Sequence, residues 1–112
     1  MSIRWCPMGL LLVPSIVVAQ APDGKALYEA SCKMCHGAAG VPTAPMKKLM
    51  ETIPTFDSAF IATRSDDSVV KVLLGGTKRM TSYKGKLSPE QLTAVAGYVR
   101  ELALKPRAPG SL

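Results

Sequence analysis

The chain has 112 residues, with 14 Lys+Arg against 8 Asp+Glu and a formal charge of +6. That length suits one domain, and a domain this small has a thin core that often needs a staple, a metal or a cofactor. No internal repeat or low-complexity tract is visible, which excludes a repeat array.

The N-terminus reads as an address. Arg4 is the only charge before Asp23, and the run from Met8 to Ala19 is apolar, broken by Gly9, Pro14 and Ser15. It is too short for a membrane span, which needs about 20 residues, and it suits the apolar region of a secretory signal. Ala19-Gln20-Ala21 has the A-x-A form, but Pro22 would follow that cut directly. Cleavage after Ala19 avoids the proline, so residues 1–19 are expected to be a signal peptide and Gln20 the mature start, with Ala21 as the other cleavage point. The alternative is an uncleaved N-terminal anchor. A lipoprotein reading through Cys6 is disfavoured, because almost no apolar run precedes that cysteine. The expected division is a signal at 1–19, a domain at 20–104 and a flexible tail at 105–112, with the product exported to the periplasm.

Cleavage would leave 93 residues, a formal charge of +5, five aromatics and two cysteines, Cys32 and Cys35. Export permits a disulfide, but a Cys-x-x-Cys bridge closes a tiny loop and is a poor staple. The pair needs another explanation.

In chain order, Asp23 can cap a first helix in which Gly24, Leu27, Tyr28, Ser31 and Cys32 recur on one face. Residues 37–55 carry Pro42, Pro45 and Pro54 and read mostly as loop, with room for a short helix around Ala44 to Thr52 that sets Met46, Leu49 and Met50 on one side. Ser65 is an N-cap signal, and Asp66 and Asp67 suit the positive end of a helix dipole. Val69, Val72 and Leu73 then form a stripe, and Gly75-Gly76 supply a stop. After a loop from Thr77 to Leu87, Ser88-Pro89-Glu90-Gln91 starts a last helix with a capping box. Leu92, Val95, Ala96, Val99, Leu102 and Ala103 are its apolar face, and Lys105-Pro106 ends it. The fold class is all-α, three to five short helices with long loops. Loops this long in a compact domain make sense if they wrap something.

Cys32-Lys33-Met34-Cys35-His36 is a C-x-x-C-H sequence, the attachment signature for c-type haem. Two thiols at that spacing can bond the two vinyl groups along one edge of a porphyrin, and the adjacent histidine can bind the iron from below. Covalent attachment also suits an exported protein, where a lost haem is not easily replaced. A zinc site would want four ligands, and the mature chain has no other His or Cys. A thioredoxin-like dithiol opens a helix within a βαβ unit, whereas this motif closes a helix.

His36 is the only histidine, so bis-histidine ligation within the chain is excluded. Lys, Met, water or nothing remain for the other axial position. Met34 lies inside the attachment loop, and Met46 and Met50 fit packing under the ring. Met80 lies in a polar Gly-rich loop, amid Thr77, Lys78, Arg79, Thr81 and Ser82, with no obvious core role. It is the expected ligand. A His/Met pair raises the reduction potential relative to more basic pairs.

With those residues in view, the chain resembles the class I c-type cytochromes, small single-haem electron carriers, over nearly all of residues 22–104. Gly24, Tyr28 and Cys32 match the family's small-aromatic-cysteine spacing, the C-x-x-C-H run matches its haem motif, and Gly76 to Met80 and on to Tyr83-Lys84-Gly85-Lys86-Leu87 resembles its methionine loop. Tyr98 with Val99 and Leu102 resembles its C-terminal helix. The resemblance implies the cytochrome c fold wrapped round one covalent haem c, a crossing of the first and last helices at Gly24, and a proline carbonyl, from Pro42 or Pro45, bonded to the proximal imidazole. Thr81 stands where the family often has proline after the methionine.

The function implied is one-electron transfer between redox proteins, with no general base or second metal in the sequence. Lys33, Lys47, Lys48, Lys71, Lys78, Arg79, Lys84 and Lys86 fall in segments expected near the haem rim, and would form a basic collar steering acidic donor and acceptor proteins. Nucleic-acid binding is not expected. The rival classes are a small haem peroxidase, the haem subunit of a larger dehydrogenase, and a periplasmic dithiol or metal-binding module.

Overall fold

The structure is a computed structural model that describes residues 2, 9–16 and 21–106. Among these residues there is no strand, and six helices follow one another: α1 (Gly24–Ser31), α2 (Lys33–His36), α3 (Ala44–Leu49), α4 (Ser58–Thr63), α5 (Asp66–Gly75) and α6 (Pro89–Leu104). The cleavage points fall partly outside the described residues, as does most of the C-terminal tail.

Side chains start most of these helices by accepting the free backbone N–H groups of the first turn. The Asp23 carboxylate accepts from Ala26 at 3.2 Å, Thr43 from Met46 at 3.4 Å, Asp57 from Phe60 at 2.9 Å and Ser65 from Ser68 at 3.1 Å. At α6 the box is reciprocal: Gln91 N–H donates to the Ser88 hydroxyl at 3.1 Å, and Ser88 N–H donates to the Gln91 side chain at 2.8 Å. The helix count exceeds the expected three to five because of two short pieces. The chain breaks at Cys32 and resumes for one turn as α2, and α4 forms behind the Asp57 cap.

Two apolar clusters share α6. In the first, α1 crosses α6 and buries Tyr28 completely, with the Tyr98 ring edge-on at 5.2 Å. Gly24 permits the crossing, since a Cβ there would overlap the Ala94 carbonyl oxygen. In the second, Leu73 of α5 packs with Leu92 and Val95 of α6. An ion pair from Arg100 to Asp66, at 2.6 Å, bridges the same two helices at the surface.

Candidate functional site

Between the two clusters lies a cleft of about 450 Å³, within the usual size range of cofactor sites. Its walls are mostly apolar, with Ile53, Phe56, Val69, Leu73, Val95 and Val99 among them. Cys32, Cys35, His36 and Met80 all line it.

The attachment motif is held from both ends. The Tyr28 hydroxyl donates to the Gly37 carbonyl at 2.6 Å, directly after His36, and the Tyr83 hydroxyl donates to the Ser31 carbonyl at 3.2 Å, directly before Cys32. The chain can turn away after His36 because Gly37 has φ +81, open to glycine at no steric cost. The two sulfurs are free and half-buried. Burial, then the neighbouring Cys35, pushes the Cys32 thiol up, so it stays protonated at neutral pH. Burial likewise lowers the His36 pKa and favours the neutral imidazole, the form that can bind a metal.

Met80 comes from a separate loop whose shape is fixed by hydrogen bonds. Gly76 caps α5 at φ +67. Met80 N–H donates to the Thr77 hydroxyl at 3.0 Å, Thr77 N–H donates to the Met80 carbonyl at 2.9 Å, and Tyr83 N–H donates to Leu73 at 2.8 Å. The Met80 side chain packs on the Leu73–Leu92–Val95 cluster. Met50 also lines the cleft, whereas Met34 is 87% exposed.

Among the lining residues not read as site residues from the sequence are Phe56, Phe60 and Arg64. Phe56 stacks on His36, with ring centroids 4.8 Å apart and planes 18° from parallel, and Phe60 stands edge-on to Phe56 at 5.0 Å. Arg64 lies over Phe60 at 5.9 Å. The scarcity of aromatics was the available signal, since a domain with five must use each one structurally. The implied bond from the imidazole to a proline is not formed: His36 Nδ1 is buried without a hydrogen-bond partner, so neither Pro42 nor Pro45 accepts its proton.

These features fit a haem. A large apolar slot with two free thiols and a half-buried imidazole on its wall is what a flat, iron-bearing, covalently attached group would complete. The fold and the site define a small c-type cytochrome. The chain belongs to the family described as cytochrome C oxidase, cbb3-type, subunit III, whose model matches residues 19–99. It is 30% identical to cytochrome c6 of Leptolyngbya boryana over 89 residues, spanning 78% of this chain and 98% of that one. It is 27% identical to cytochrome c6 of Thermosynechococcus vestitus over 95 residues, spanning 84% and 80%. The solved structure "KustC0563 c-type cytochrome" matches with a TM-score of 0.65 and 35% identity, covering 71% of this chain and 96% of that one. The cofactor is one covalently bound haem c, and the protein is an electron carrier rather than an enzyme.

Proposed function

We propose that the protein is an exported one-electron carrier whose haem is bonded through Cys32 and Cys35 and ligated by His36 and Met80. The observation that carries this reading is the convergence of all four side chains, from two separate segments, on one apolar cleft.

When bound, the haem supplies the one-electron couple. The polypeptide's part is to hold that group still and dry. Tyr28 fixes the backbone after His36 and Tyr83 fixes the backbone before Cys32. Val95 and Val99 of α6, with Leu73 of α5, keep water from the interior wall. The Thr77–Met80 bonds stiffen the loop at the point where Thr81 replaces the more usual proline. With His36 and Met80 both holding the iron, little room would remain for peroxidase or gas-binding chemistry.

Export is supported by the apolar stretch at the N-terminus. Leu10, Leu11, Leu12, Val13 and Ile16 are all more than four-fifths exposed and pack on nothing in the domain, as expected of a leader at 1–19 that is removed from a domain at 20–104 in the periplasm, with 105–112 as its tail. Among the described residues no helix is long and apolar enough to cross a membrane. Lys33, Lys47, Lys48, Lys71, Lys78, Arg79, Lys84 and Lys86 are all exposed, and they form the collar that steers acidic redox partners. Such steering weakens as salt rises, so electron-transfer rates that stay level with ionic strength would remove the collar.

The ligand set is tested by absorption spectroscopy of the ferric protein. The weak red charge-transfer band of a methionine–iron bond is expected in the native protein and in Met50→Ala, and lost in Met80→Ala. Its loss in Met50→Ala alone would reassign the ligand, and its absence from the native protein would end the His/Met reading.

A further inference from the structure

Met80 is carried on a loop, Thr77 to Leu87, that has no proline to stiffen it. Most hydrogen bonds of this loop are local. Thr77 and Met80 bond each other, the Ser82 hydroxyl donates to the Leu74 carbonyl at 2.5 Å, and Tyr83 N–H donates to the Leu73 carbonyl at 2.8 Å. These bonds shape the loop and fasten it to α5, the helix it leaves. They do not fasten it to the attachment motif. One bond does: the Tyr83 hydroxyl donates to the Ser31 carbonyl at 3.2 Å, joining residues 52 apart in the chain. Among the described residues, no other hydrogen bond joins this loop to α1 or to the motif. We propose that the Tyr83 hydroxyl is a positioning group, a strap that keeps Met80 in the cleft by tying its loop to the residue before Cys32. This deepens the reading of Met80 as an axial ligand and rests on it.

Both ends of the strap are prepared for it. Ser31 ends α1, and the last carbonyls of a helix have no partner within it. Tyr83 is held in backbone and ring. Its carbonyl accepts from Lys86 at 3.0 Å and Leu87 at 3.2 Å. Its ring packs on the same Leu73–Leu92–Val95 cluster as Met80, Leu27 and Cys32. The side chain that carries the hydroxyl and the side chain that carries the sulfur therefore share one support. Phenylalanine at this position would keep the ring and its packing and lose only the tie.

Opening of the loop is what the strap opposes, and added imidazole measures it. Imidazole binds the ferric iron only in molecules whose Met80 has let go, so its apparent affinity scales with the open fraction. The Ser31–Tyr83 bond is partly exposed to water. In the ferric holoprotein, Tyr83→Phe should therefore bind imidazole about threefold more tightly than the native protein, the lower part of what one hydrogen bond is worth. Arg100→Met also removes a long-range polar link, the one to Asp66, but leaves the strap intact, and its imidazole affinity should match the native value. An unchanged affinity in Tyr83→Phe, or equal tightening in both variants, would overturn the proposal. Tightening in Tyr83→Leu but not in Tyr83→Phe would assign the effect to the ring and overturn the role of the hydroxyl. A native protein with no methionine–iron band for imidazole to displace would instead remove the Met80 assignment and the proposal with it, a failure distinct from that of Tyr83 alone.

Discussion

The two sides of α6 are built in opposite ways. Toward α1 the helix meets protein: Gly24 lets the backbones touch, Tyr28 is fully buried and Tyr98 packs edge-on against it. Toward the loops the same helix offers Val95 and Val99 to a cleft of about 450 Å³ and finds no side chains to fill it. The first side is complete in its own residues, while the second is shaped for a group of another kind. A domain with five aromatics could not close both.

Removing the haem should break the comparison most severely. Without the haem the apolar walls of the cleft would face water and lose the burial that stabilises them, in a domain whose whole stability is only about 5–15 kcal/mol. The double variant Cys32→Ala, Cys35→Ala, produced without haem, should lose most of its far-ultraviolet helix signal and its cooperative melt. A full helix signal would mean that the α1–α6 crossing stands alone. Gly24→Ala attacks the finished side. Its Cβ would collide with backbone rather than with a side chain that can move, and the holoprotein should lose about 3 kcal/mol by chemical denaturation, the upper part of the overpacking range.

Tyr28→Phe touches both sides. It keeps the ring and deletes the bond to Gly37, for an expected loss of about 1–2 kcal/mol. It also carries a pH signature. Burial above all, with Tyr98 adding to it, pushes the Tyr28 hydroxyl well above its ordinary value of 10.0. The folded protein therefore holds that proton after the unfolded chain has released it. The contribution is complete below the unfolded value and is lost as pH rises past it, so the denaturation midpoint should fall more steeply above pH 10.0 in the native protein than in Tyr28→Phe. Arg100→Met should matter least. Its ion pair with Asp66 is close to half exposed, so the loss should be about 0.5 kcal/mol and should shrink in high salt.

The finished side was the legible one. Asp23, Ser65 and Ser88 announce their helices through local chemistry, and each caps as its spacing predicts. The short helix predicted around Ala44 to Thr52 stops at Leu49. The α4 helix was invisible because six residues, Ser58–Thr63, give too little apolar periodicity, and only the Asp57 cap marked it. On the cleft side, the C-x-x-C-H run was legible because its spacing is dictated by the porphyrin itself. Met80 was reached by elimination and by resemblance, and nothing periodic places it beside His36. The Phe56–His36 stack was not legible at all. It depends on Gly40 turning the loop through positive φ and on Phe56 returning to bond it, a tertiary arrangement with no local pattern.

The central claim is that a haem is bonded to this chain through Cys32 and Cys35. It is tested most directly by haem staining after denaturing electrophoresis, with the protein made in a host that matures c-type cytochromes. The purified polypeptide should stain, with about one haem per chain by pyridine assay, and Cys32→Ala, Cys35→Ala should not. A folded native protein that runs colourless, or one whose haem is extracted by acidified solvent, would contradict it.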